Sequence, residues 1–202
     1  MKNTLLTGVF GGSFDPIHNG HVALAMAAIK EVNLDRLIVM PTKVQPFKRD
    51  KKVTDDFHRL NMVRLAFEDV PTVQVSDYEI RNTNVSNTHA TLNQLKTIYP
   101  DYKIYFIMGT DSMLTLEKWY KGEELLRDFS FIVSYRPGYK EHELDEKIRY
   151  YENTYGTEIV KILSVMPDVS STEIRNLCEE EQSIAHLVPE KVERYIHAER
   201  LY

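Results

Sequence analysis

Four segments of the chain are apolar at nearly every position: LLTGVF (5–10), RLIVM (36–40), KIYFIM (103–108) and FSFIVSY (129–135). Each runs into glycine or proline within a few residues. A strand with one wet face alternates apolar and polar residues, whereas a strand that is apolar throughout is buried on both faces. Sheets reach that state when helices cross over between parallel strands. The chain supplies such a crossover at once. After the first run, HVALAMAAIKEV places Val22, Ala25, Met26, Ile29 and Val32 on one helical face, and RLIVM follows. This predicts a parallel pair with a right-handed connection.

The alternation continues. DDFHRLNMVRLAFEDV has helical spacing at Phe57, Leu60, Val63 and Phe67, and THATLNQLKTIY (88–99) is a second helix stopped by Pro100. TVQVSDYEI (72–80) and EIVKILSV (158–165) read as strands, 111–127 as short helices, and 141–155 as a charged helix. Two helices finish the chain, from about 171 and from Pro189, with the proline placed in a first turn. The fold class is α/β: a doubly wound, mostly parallel sheet with helices on both faces. We read 1–202 as a single domain whose last 35 or so residues form a small helical cap.

Charge excludes some partners. With 25 basic and 30 acidic side chains the formal net charge is −5, which draws the chain to neither nucleic acid nor an anionic membrane. A bound anion therefore needs a local basic cluster. Cys178 is the single cysteine, so no internal disulfide forms. No apolar stretch has the length of a membrane span or the pattern of a signal peptide. The expectation is a cytoplasmic protein, with a homo-oligomer allowed.

The chemistry concentrates in GVFGGSFDPIHNGH (8–21), directly after the first apolar run. Gly11 and Gly12 let backbone approach a ligand. Asn19 and Gly20 open a helix whose N–H groups form an anion site, and His18 and His21 add donors over it. Neither G-x-x-x-x-G-K-[ST] nor G-x-G-x-x-G occurs there. The spacing predicts a polyphosphate across the end of the first strand. A zinc reading of the two histidines lacks a third ligand. Gly109 ends the KIYFIM run, so that strand and the first flank the binding crevice; Asp111 beyond it serves a ribose or caps a helix. In SSTEIR (170–175), Ser170 and Glu173 have capping-box spacing, and Arg175 stands one turn in, beside Ser171 and Thr172, placed to grip phosphate. The segment 41–54 carries two prolines and five basic residues, among them Lys43, Lys48 and Arg49.

The run Gly11-Gly12-Ser13-Phe14-Asp15-Pro16-Ile17-His18-Asn19-Gly20-His21 resembles the nucleotidyltransferase superfamily with the H-x-G-H signature, and within it the bacterial nicotinate-mononucleotide adenylyltransferases. MPTKVQPFK (40–48), IMGTDSMLTLEKWY (107–120), SYRPG (134–138), SSTEIR and LVPEKVERYI match that family in order. The resemblance implies a Rossmann-like sheet and a direct reaction of nicotinate mononucleotide with ATP, giving deamido-NAD and pyrophosphate. It implies that His18, His21 and Arg175 act on the triphosphate. ATP would also be held by Gly11, Gly12, Ser13, Lys48, Gly109, Asp111, Ser171 and Thr172, and the pyridine mononucleotide by Thr88, Trp119 and Tyr120. Mg²⁺ would be carried mainly by ATP phosphates, with no protein metal site. Two segments depart from the pattern: Phe47 stands where the family often has His, and Ser86-Asn87-Thr88-His89-Ala90-Thr91 where it often has Ser-Tyr-Thr-x-Asp-Thr. Other readings are an H-x-G-H transferase acting on nicotinamide mononucleotide or phosphopantetheine, and a non-catalytic nucleotide sensor.

Overall fold

The computed structural model describes residues 4–43, 53–82, 87–135 and 141–202. Six parallel strands make one sheet: β1 (Leu5–Gly12), β2 (Arg36–Pro41), β3 (Val73–Val75), β4 (Tyr102–Gly109), β5 (Ser130–Ser134) and β6 (Ile159–Ile162). Their order is β3-β2-β1-β4-β5-β6. The chain thus winds outward from β1 in one direction, returns, and winds out in the other. The doubly wound expectation is met.

The continuous apolar runs have a simple cause. Successive strand residues point to opposite faces, and both faces are covered. Phe10, Val39, Ile107 and Ile132 enter one core layer with α1 (Asn19–Val32), α2 (Asp56–Phe67) and the last two helices, α8 (Ser171–Glu179) and α9 (Glu190–Glu199). Val9, Ile38, Phe106 and Phe131 enter the other, with α4 (Thr88–Ile98), α5 (Thr110–Thr115), α6 (Gly122–Asp128) and α7 (Glu141–Tyr155). Among the described residues no helix is long and apolar enough to cross a membrane.

Three sequence expectations need correction. Only Val73–Val75 of TVQVSDYEI is strand; the remainder turns into a one-turn helix, α3 (Tyr78–Arg81). Ser76 Oγ accepts from the Tyr78 N–H, Asp77 pairs with Arg81, and Glu79 turns inward to accept from the Thr91 hydroxyl at 2.7 Å. Those local side-chain bonds outcompete a longer ladder at the sheet edge. EIVKILSV stops pairing at Ile162, because Glu31 of α1 takes the N–H groups of Leu163 and Ser164. Leu163 and Val165 consequently lie exposed. Pro189 is the N-cap of α9, not a first-turn residue.

Candidate functional site

β1 and β4 part at their carboxyl ends. Their register ends at Phe10 opposite Ile107, while β1 goes on pairing with β2 through Gly11 and Gly12 and β4 with β5 through Met108 and Gly109. The carboxyl ends of β1 and β4 therefore flank the point where strand order reverses, the usual ligand position in such sheets. Chain direction then changes sharply. Phe14 takes a left-handed φ of 47°, the Asp15–Pro16 peptide is cis, and the Phe14 ring packs edge-on against Phe10 and His21.

α1 begins beyond this turn, and its two histidines cap each other. His18 is the N-cap; its Nδ1 accepts from the His21 N–H, and the His21 Nδ1 accepts from the His18 N–H, both at 3.3 Å. The rings stack with centroids 3.7 Å apart. A neutral imidazole that accepts at Nδ1 carries its proton on Nε2. Both rings thus put a donor on the edge opposite the helix backbone. Gly20 makes room for this pair: a Cβ there would stand 3.1 Å from the His18 ring and 3.2 Å from the Pro167 carbonyl oxygen. The expected row of open amides is not what α1 offers. The Asn19 N–H goes to the Leu187 carbonyl and the His21 N–H to the His18 ring.

The C-terminal helices clasp the same turn. Ser170 caps α8 by accepting from the Glu173 N–H. Ser171 Oγ donates to the Pro16 carbonyl at 2.9 Å; Arg175 donates from Nη1 to the Asp15 carbonyl at 2.7 Å and from Nη2 to the Thr172 hydroxyl at 3.1 Å. His18, His21, Arg175, Ser171 and Thr172 are therefore brought together around residues 15–21. Lys48 lies outside the described residues, whereas Lys43 donates to the Asn82 carbonyl at 3.0 Å.

Across the crevice, Gly109 is the N-cap of α5 and Asp111 lies exposed in its first turn, without capping it. Trp119 packs edge-on to Phe106, whose ring lies 3.6 Å from where a Cβ of Gly11 would be. One aromatic ring thus separates the tryptophan from the glycines of β1. Tyr120 is exposed, with its ring edge-on to His89 at the start of α4, beside Thr88. His89 Nε2 lies 3.0 Å from Glu124 of α6. The three residues expected around a pyridine thus come from elements that pack together.

Two residues escaped the sequence reading. Arg59 of α2 is 0% exposed. Its guanidinium donates to the carbonyls of Ser13, Thr42 and Thr54 and pairs with Asp56, joining the exits of β1 and β2 to the approach of α2. Its place in a helical pattern gave no signal that it faces inward. Tyr202 donates to Asp15 Oδ1 at 2.8 Å. Burial, then the Asp15 charge, pushes its phenol well above the usual range.

The cytidylyltransferase-like family model matches residues 9–177. A protein of Carboxydothermus hydrogenoformans named "Probable nicotinate-nucleotide adenylyltransferase" is 36% identical over 195 residues, covering 96% of both chains. One of the same name from Thermoanaerobacter sp. is 37% identical, covering 100% of this chain and 96% of its own. Among solved structures, Plasmodium falciparum nicotinic acid mononucleotide adenylyltransferase complexed with NaAD superposes with a TM-score of 0.80 at 23% identity, covering 98% of this chain and 97% of its own. The same protein complexed with APC gives 0.79 at 22% identity, with the same coverage. At that identity the structural likeness speaks for the fold.

Proposed function

We infer the activity from membership: this chain belongs to the cytidylyltransferase-like family and, within it, to the nicotinate-nucleotide adenylyltransferases. It transfers AMP from ATP to nicotinate mononucleotide, giving deamido-NAD and pyrophosphate in NAD biosynthesis. The geometric observation that best supports this is the pair of stacked imidazoles with Nε2 donors, set over the open end of β1 and flanked by Arg175.

In the reaction a phosphate oxygen of the mononucleotide attacks the α-phosphorus of ATP. A P–O bond forms, the bond to the bridging oxygen breaks, and pyrophosphate leaves with the electron pair. The nucleophile is already an anion, so the protein contributes position and charge stabilisation, not a general base. We assign His18 and His21 to hydrogen-bond the triphosphate through Nε2 and Arg175 to stabilise charge on the departing pyrophosphate. Gly11, Gly12 and Ser13 let it lie against β1, with Lys48, Ser171 and Thr172 around it. Gly109 and Asp111 face the ribose side, and Thr88, Trp119 and Tyr120 hold the pyridine. Mg²⁺ would be held mainly by the ATP phosphate oxygens and water, where it would screen their charge. We take 1–202 as one catalytic unit, since apolar residues of α8 and α9 share a core layer with β1 and α1. A cytoplasmic site of action fits this chemistry.

The test offers ATP with nicotinate mononucleotide or with nicotinamide mononucleotide and follows pyrophosphate release. Faster release with the acid is expected. Release with neither defeats the assignment, and faster release with the amide moves it to the amide substrate.

A further inference from the structure

Asp15 lies inside the signature turn yet does not face solvent. It is 5% exposed. Its Oδ1 accepts from the Tyr202 hydroxyl at 2.8 Å, and its Oδ2 lies 3.4 Å from the Thr54 N–H. Its own carbonyl accepts from Arg175 Nη1 at 2.7 Å. Tyr202 therefore reaches from beyond the last helix to the residue against which the phosphate-gripping arginine rests. The Tyr202 hydroxyl and the Thr54 N–H thus hold the two oxygens of one buried carboxylate and fix it in one geometry.

We propose that Tyr202 is a positioning residue for adenylyl transfer: by holding Asp15 it fixes the carbonyl that orients the Arg175 guanidinium. The proposal rests on the assignment of Arg175 to the triphosphate. Arginine pays its way on phosphate only when its planar fork is correctly aimed. One of its nitrogens is spent on Asp15, another on Thr172. These two bonds set the plane in which the rest of the guanidinium meets the ligand. Loosening Asp15 frees that plane to rotate. Loss of aim costs ATP binding and turnover while leaving the pyridine side, built from α4 to α6, untouched.

The experiment is a double-mutant cycle on the full chain, read as ATP dissociation constant in the absence of mononucleotide. Its variants are Tyr202→Phe, Arg175→Ala and the pair. Tyr202→Phe should weaken ATP binding about tenfold and lower kcat by a similar factor, with KM for the mononucleotide within twofold of wild type. On the Arg175→Ala background the same change should shift ATP binding less than twofold. Unchanged ATP affinity in Tyr202→Phe, or an equal loss on both backgrounds, overturns the proposal. If Tyr202→Phe melts early, Asp15→Ala, which removes the acceptor of the Tyr202 hydroxyl, replaces it in the cycle with the same expected pattern. Because ATP binding is read without the second substrate, a wild type that makes no deamido-NAD would defeat the functional assignment and still leave the cycle to decide the role of Tyr202.

Discussion

Replacing Gly122 with alanine gives a sharp test of how the structure builds the proposed pyridine side. Gly122 is the first residue of α6, and a glycine-to-alanine change in a helix normally stabilises, by about 0.4–1 kcal/mol. Here the sign should reverse. A Cβ on Gly122 would stand 2.2 Å from the Leu116 carbonyl oxygen and 2.8 Å from the Glu117 carbonyl carbon. Both are backbone atoms, and Leu116 is fully buried, so neither can swing aside. The Leu116 oxygen also accepts from the Trp119 N–H at 3.0 Å, and the Gly122 N–H donates to the Trp119 carbonyl at 2.9 Å. Overpacking costs roughly 1–3 kcal/mol, and a strained or lost turn hydrogen bond adds about 1 kcal/mol. A total near 3 kcal/mol corresponds to a fall in Tm of about 6–12 °C for a chain of this size. The displaced segment carries Trp119, the only tryptophan, so its emission should change in the folded variant. KM for the mononucleotide should rise several-fold while KM for ATP holds. A Gly122→Ala variant with wild-type or higher Tm and unchanged emission would refute the reasoning.

Two further outcomes are expected. Lys103 and the Tyr105 hydroxyl hold the Glu158 carboxyl below its ordinary value. A carboxyl lowered by folding stabilises fully above its unfolded value and loses that contribution as pH falls through the folded one. Thermal melts of Glu158→Gln should therefore lie below wild type near neutral pH and converge with it below about pH 4; a constant gap across that window would contradict the pairing. Arg59→Met strips a fully buried cation from the Ser13, Thr42 and Thr54 carbonyls and from Asp56. It should cost about 1–3 kcal/mol in urea unfolding, since three carbonyls and the partly exposed Asp56 carboxylate lose their donor; no measurable loss would show that water replaces the guanidinium.

Much of this architecture was legible because local rules and global packing agree. Strands that end in glycine, at Gly12 and Gly109, and helices with one apolar face can be read from spacing alone. The failures share a cause. The alternation in TVQVSDYEI looks like strand, but Asp77, Glu79 and Arg81 find partners only when the chain coils. Arg59 and Tyr202 reach across 46 and 187 positions to Ser13 and Asp15, distances at which no periodicity operates. The histidine spacing matched a capping box, yet imidazole is not a usual capping group, so the mutual bond between His18 and His21 was hidden behind the expectation that they serve a ligand.

That mutual bond has a practical consequence for anyone altering this signature. Each imidazole starts the helix with one nitrogen, and the proposed function uses the other, so a single replacement would damage scaffold and proposed chemistry in one stroke. A dead variant at either position is therefore ambiguous until the beginning of α1 has been checked, for instance by amide exchange at residues 19–22. Asparagine at position 18, which keeps a side-chain acceptor for the helix start and removes the ring, separates the two losses.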